Sequence, residues 1–216
     1  MAKNLVWHDD YWLLLLQIYL RKPVGVKPLY NRAMVDLSLE LHIPPESLQR
    51  RMEMITRMDT PRLERFWNTY SKSPKRLERA VHLLREMKGF GAAEEFYQGV
   101  EVQETFERDF RPLAEDARFM PVMLIMILDL YYQLTPSTMV AATPEVVETA
   151  KLLRLKASDV VEVLDVFQIC DPYLERNEVT LSPLLAPCQQ VWQRMVDKEP
   201  QDVHALAEKL EEFFQS

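Results

Sequence analysis

Slid along itself by 112 places, the chain lays Leu16-Gln17-Ile18-Tyr19 on Leu128-Asp129-Leu130-Tyr131. The same shift, without a gap, sets Met34-Val35-Asp36 on Val146-Val147-Glu148. It also sets Leu41 and Ile43 on Leu153 and Leu155, and Asp59 on Asp171. After extra residues in the second copy the match resumes at a wider offset, with Trp67 on Trp192, Pro74 on Pro200, and Leu77 and Leu84 on Val203 and Leu210. Self-similarity constrains a fold before any local propensity does, because each copy must find a home for the same apolar pattern. It predicts an all-α protein of two tandem, pseudo-symmetric five-helix units: residues 1–88, a helical connector over 89–118, and residues 119–216. It says nothing about chemistry.

The helical reading comes from apolar residues spaced three and four apart along nearly every segment, with almost no strand-like alternation. In the first copy Asp9 or Asp10 is placed to cap a helix running to about Arg21, and Asn31 to cap a second ending near His42. Pro44-Pro45 opens a third helix, since the fixed φ of proline suits a first helical turn. Two more run from Pro61 to Tyr70 and from Pro74 to Met87, with Gly89 as a C-terminal stop. The second copy repeats this punctuation. Helices are predicted from Pro121 to Leu134, from Pro144, from a Ser158 cap, over Pro187–Val196 and over Pro200–Phe214. A shorter helix is predicted around Val102–Phe110, and an insertion near 173–183 holds a short extended piece at Val179-Thr180-Leu181.

Two stretches are apolar on almost all sides: Tyr11-Trp12-Leu13-Leu14-Leu15-Leu16 and Val122-Met123-Leu124-Ile125-Met126-Ile127-Leu128. A helix without a polar face must be surrounded by others. Both are expected at the centre, packed together across a pseudo-twofold axis. Each buried Leu or Ile would contribute about 1.5–3 kcal/mol.

Composition narrows the classes. With 48% hydrophobic and 27% charged residues the chain folds instead of remaining disordered. Two cysteines, Cys170 and Cys188, are too few for a disulfide scaffold and point to a reducing compartment. Residues 1–10 show no cleavable signal pattern. The most apolar stretch, Met120–Leu134, contains Asp129 and falls short of the roughly 20 residues a membrane span needs. The expected location is cytoplasmic, with no membrane contact. The net charge of −7 hides an asymmetry: residues 45–90 carry 11 Lys/Arg against 6 Asp/Glu, and the remainder 15 against 27. Such a split can mark a face for an anionic partner, or only solvated helix surfaces.

Residues 35–52, Val35-Asp36-Leu37-Ser38-Leu39-Glu40-Leu41-His42-Ile43-Pro44-Pro45-Glu46-Ser47-Leu48-Gln49-Arg50-Arg51-Met52, resemble a helix-turn-helix. Leu48 and Met52 face inward in that reading, leaving Gln49, Arg50 and Arg51 outward. The resemblance implies a second helix lying in the DNA major groove, where arginine reads guanine and glutamine reads adenine. Residues 147–164 are similar, with Ala150 at the helix crossing and Val160 and Val163 inward. Both copies lack the usual turn glycine, for which His42 and Arg154 stand, and the first puts Arg51 where an apolar residue is expected. The second exposes Asp159, Glu162 and Asp165, which phosphates would repel. Beyond the first copy, Arg57, Arg62, Arg65, Lys72, Lys75, Arg76 and Arg79 add positive charge, interleaved with Trp67 and Tyr70, a pattern suited to phosphate contacts with base stacking. Glu53, Glu64, Glu78 and Glu86 offset part of that charge. Trp67, matched by Trp192, is expected in the core.

No catalytic constellation emerges. His8, His42, His82 and His204 are scattered, His8-Asp9-Asp10 reads as a helix start, Asp129 matches Gln17 as a polar spot, and Cys170 matches Met58 as a small core hydrophobe. No glycine-rich phosphate loop or nucleophile elbow is present. The expected function is non-catalytic, without cofactor or metal: an interaction or scaffold protein binding another protein near the 22–28 loop or the inter-unit groove. The alternative is a nucleic-acid-binding regulator using the basic first unit through Gln49, Arg50, Arg51, Arg57, Arg62, Arg65, Lys72, Lys75 and Arg76.

Overall fold

A computed structural model of the chain describes residues 7–87, 90, 105–174 and 182–215. The chain divides into two compact units, Met1–Gln103 and Glu104–Ser216. Among the described residues the fold is all-α, with eleven α-helices, one short 3-10 turn and no strand. Unit one holds α1 (Tyr11–Leu20), α2 (Arg32–Leu41), α3 (Pro45–Arg57), α4 (Pro61–Tyr70) and α5 (Pro74–Glu86). Unit two holds α6 (Thr105–Asp109), α7 (Pro121–Gln133), α8 (Pro144–Leu153), α9 (Ala157–Cys170), α10 (Leu185–Met195) and α11 (Pro200–Gln215). Six of these helices begin on a proline, where the missing N–H has no intrahelical partner to lose.

The two all-apolar helices take the interior of their own units. Leu14, Leu15 and Leu16 of α1 are buried, and α2, α3 and α5 pack around that helix. In α7 every residue from Val122 to Tyr131 is buried, and α8, α9, α10 and α11 surround it with α6 alongside. Among the described residues no helix is long and apolar enough to cross a membrane.

The α2–α3 and α8–α9 corners are built alike. His42 and Arg154 adopt left-handed backbone conformations, with φ of 53° and 58°. The next residue then donates its N–H to a carbonyl five places back, Ile43 to Ser38 at 3.1 Å and Leu155 to Ala150 at 2.8 Å. The turn glycine missing from the sequence is therefore replaced by side-chain-bearing residues in the conformation glycine would hold.

Three local expectations change. Asn31 caps α2 as predicted, accepting from the Ala33 N–H at 3.2 Å. Asp10 holds the N-cap position of α1 as expected, but neither its side chain nor that of Asp9 makes a capping bond. A preceding turn satisfies the Tyr11, Trp12 and Leu13 N–H groups with the carbonyls of His8, Asp9 and Asp10, and Asp9 pairs with Arg62 instead. Ser158 lies inside α9, which begins a residue earlier; the Asp159 carboxylate reaches back to the Lys156 N–H at 3.0 Å. Asp159 is also buried, not exposed, because Arg118 donates to it at 2.6 Å. Gly89, residues 102–104 and the piece at 179–181 lie outside the described residues.

Candidate functional site

α3 carries the residues expected to read a groove. Leu48 and Met52 are buried as the helix-turn-helix pattern requires. Of the three outward candidates only Arg50 is exposed, its Nε 3.4 Å from the Glu46 carbonyl. Gln49 is half-buried and donates from Nε2 to the Lys27 carbonyl at 3.4 Å, so the 22–28 loop covers it. Arg51 is half-buried with its guanidinium 4.2 Å from the centre of the Trp7 ring, and it donates to the Ser47 carbonyl. Burial, followed by the neighbouring Arg50 charge, lowers its pKa from the ordinary arginine range. Gln49 and Arg51 are therefore turned towards their own unit, a correction to the outward placement, and the reason is that loop 22–28 and Trp7 occupy the face a groove would need.

The remaining candidates gather on α4 and α5. Arg57, at the end of α3, is exposed and lies 3.5 Å from Glu53. On α4, Arg62, Arg65, Phe66, Thr69 and Tyr70 fall at the i, i+3, i+4, i+7, i+8 spacing of one helix face, and together they line an open depression of about 470 Å³. That volume falls within the range of roughly 300–1,000 Å³ typical of ligand sites. Along this face runs a ladder of planar groups. The Arg62 guanidinium is 6.0 Å from the Phe66 ring centre, Phe66 stacks with Tyr70 at 6.1 Å and 29° between planes, and the Arg76 guanidinium is 5.6 Å from the Tyr70 ring. Arg76 joins this ladder to α5, where Lys75, Arg76 and Arg79 are exposed on one face, with Lys72 exposed in the turn before it.

The underlying cause is how little α4 buries. Leu63 is its one fully buried residue. Trp67 turns inward against Tyr19, 6.0 Å away and nearly perpendicular, so it serves the core as predicted. Phe66, one residue earlier, is half-buried like Trp67 and also packs on the core, yet it lines the depression with Tyr70. Sequence reasoning missed it, because adjacent aromatics on a helix differ by about 100° and tertiary neighbours decide what each ring meets. The acidic offset is partial. Arg62 pairs with Asp9 at 2.5 Å, Glu64 and Glu78 share the two helices, and Arg85 leaves the stripe to clasp Glu40 through two bonds of 2.6 and 2.7 Å. An exposed guanidinium over a ring is worth about 0.5–1 kcal/mol, whereas a nucleobase stacked on an aromatic side chain is worth about 1–3 kcal/mol.

Unit two has its own depressions and a different chemistry. One of about 380 Å³ is lined by Asp129, Glu145, Glu148, His204 and Glu211 among others. Asp129 is buried at the mouth of α7, accepting from Gln133 at 2.8 Å and lying 2.9 Å from His204 Nδ1 on α11. The hydrogen bond and then the charge of Asp129 raise the pKa of His204 above its ordinary value. This pair spans 75 positions in the chain and left no local signal. Another depression, about 330 Å³, includes Asp109 and Arg194, which meet through two bonds of 2.7 Å. Burial pushes the Cys170 thiol up to about 11 and the Cys188 thiol higher still, so both stay protonated and behave as small apolar groups. Among the described residues no group of three or more His, Cys, Asp or Glu is placed to hold a metal ion.

The fold and surface thus define an all-α protein with a cationic, aromatic-bearing face on its first unit. No protein-family model matches the chain, and neither a curated protein nor a solved structure is similar to it.

Proposed function

We propose that this chain is a non-catalytic binding protein, derived from a duplicated helical bundle, whose first unit binds nucleic acid. The observation carrying this reading is the union of the α4 ladder with the α5 cation stripe: planar groups for bases beside Lys72, Lys75, Arg76 and Arg79 for phosphates. Residues 61–79 hold six Lys/Arg against Glu64 and Glu78, a local excess of positive charge in a chain whose net charge is −7. The like-built α2–α3 and α8–α9 corners support the duplication. Titrating the full chain into labelled DNA tests the function. Binding should weaken between about 50 and 200 mM salt with a log–log slope near −0.7 to −0.9 per phosphate contacted, and Lys75→Glu with Arg79→Glu should lower affinity at least about tenfold. Absence of binding at the lower salt would remove the proposal.

A second reading, a protein partner docking at the 22–28 loop, is favoured by Val24 and Val26, which are 61% and 40% exposed between Lys22 and Lys27. Its expected outcome is a partner in fixed ratio with the wild-type chain that is lost from Val24→Ser with Val26→Ser.

A further inference from the structure

We infer that the α4 face is selective for unpaired bases, so that the ligand is a single strand and not a duplex; this rests on the nucleic-acid reading above and narrows it. Three observations converge. First, Phe66 and Tyr70, both half-buried, line the open α4 depression together with Arg62, Arg65 and Thr69, so the ring surface left in the depression is what a planar group would meet. A duplex keeps its base faces stacked on each other and presents only edges and phosphates. An unpaired base offers its full π-face. Second, the one helix that the sequence offers for groove reading, α3, has Gln49 and Arg51 engaged by Lys27 and Trp7. Duplex binding would then rest on Arg50 and the α5 stripe alone, without base contacts. Third, the ladder alternates cation, ring, ring, cation over Arg62, Phe66, Tyr70 and Arg76, with steps of 6.0, 6.1 and 5.6 Å. Guanidinium planes and aromatic rings are the two side-chain surfaces on which splayed bases stack. A strand running along this face would place bases against the α4 ladder while its backbone tracks Lys72 in the α4–α5 turn and Lys75 and Arg79 on α5.

The decisive experiment titrates the full chain, by fluorescence anisotropy, against a labelled 12-nucleotide single strand and a labelled hairpin duplex at two salt concentrations. Wild type should prefer the single strand. Phe66→Leu with Tyr70→Leu, which keeps apolar volume against the core, should weaken single-strand binding by about tenfold or more, with the salt slope and the duplex affinity unchanged. Lys75→Ala should flatten the single-strand slope by about 0.7. Circular dichroism melts of each variant report whether the fold persists, and Phe66→Tyr should restore affinity where a ring is what matters. Equal binding of both ligands, indifferent to the leucine pair, would overturn the single-strand inference and leave nucleic-acid binding standing. Binding of neither would overturn both. Poly-glutamate bound as tightly as the strand would also overturn the inference, by assigning the face to acidic polypeptides.

Discussion

α4 and α10 hold corresponding places in the helix order of the two units, yet they live in different surroundings. α10 buries Pro187, Cys188, Val191 and Met195 and packs against both α7 and α9. α4 buries Leu63 alone and runs along α5, touching α1 through Trp67 and Tyr19. Packing of the first kind consumes a helix face, so α10 has little left to offer. Packing of the second kind leaves Phe66 and Tyr70 only half-buried, with Arg62 and Arg65 exposed beside them. Both units answer some of their cations internally: Arg118 meets Asp116, Asp159 and Glu162 and Arg194 meets Asp109 in unit two, while Arg62 meets Asp9 and Arg85 meets Glu40 in unit one. Unit one leaves Lys72, Lys75 and Arg79 in solvent.

The contrast can be attacked first at the two central helices. Leu15 and Ile127 are wholly buried, so Leu15→Asp and Ile127→Asp should each cost more than about 4 kcal/mol, because an unpaired carboxylate replaces packed hydrocarbon. Each should abolish cooperative unfolding of its unit in a circular dichroism melt; a wild-type melt from either would show that helix to be peripheral. Next come the matched tryptophans. Trp192 has Tyr131, Tyr132 and Phe167 within 5.9 to 6.3 Å, whereas Trp67 meets Tyr19 at 6.0 Å. Trp192→Ala is expected to cost about 3 kcal/mol and Trp67→Ala about 1–2 kcal/mol less in urea titrations. Equal losses would mean α4 is as firmly seated as α10.

A smaller effect separates the units by pH. The hydrogen bond to Asp129 and then its charge favour the protonated form of His204 in the folded state and raise its pKa, with Glu208 and Glu211 adding to the field. The folded pKa is thus above the unfolded one, near 6.5. The stability from this pair is complete below about pH 6.5 and is lost as pH rises through the folded value. The urea midpoint should therefore fall between pH 5.5 and 8.5 by an amount that His204→Ala removes; an unchanged pH profile in that variant would exclude the pair as its source. The smallest expected effect lies at the second corner. Arg154 is exposed and left-handed, so Arg154→Gly should raise stability by about 0.5–1 kcal/mol, as relief of backbone strain outweighs the added freedom of the unfolded chain.

Where a signal was local, the sequence carried it. Proline starts, the Asn31 cap and three-four apolar spacing placed α2, α4 and α7 within a residue or so of their observed bounds, because each depends on neighbours a turn away. Where the deciding partner was remote, the sequence was silent. Asp9 looked like a cap for α1 until Arg62 claimed it. Asp159 looked solvent-facing until Arg118 arrived from 41 positions earlier. The candidate site shows the same split. Its cations were visible as a basic run, but that Phe66 lines the depression while Trp67 meets Tyr19, and that Gln49 and Arg51 are engaged by Lys27 and Trp7, is decided by tertiary neighbours that no spacing encodes.

Arg118 carries one more implication. Its guanidinium sits on the acidic start of α9, within reach of Asp116, Asp159 and Glu162 at once. Because it belongs to the same unit, it acts as a tethered counterion, present at an effective concentration that short linkers hold in the millimolar range. A free cation or a basic partner seeking that helix would have to evict an occupant that never diffuses away. The acidic start of α9 is thereby answered within its own unit, without any second molecule.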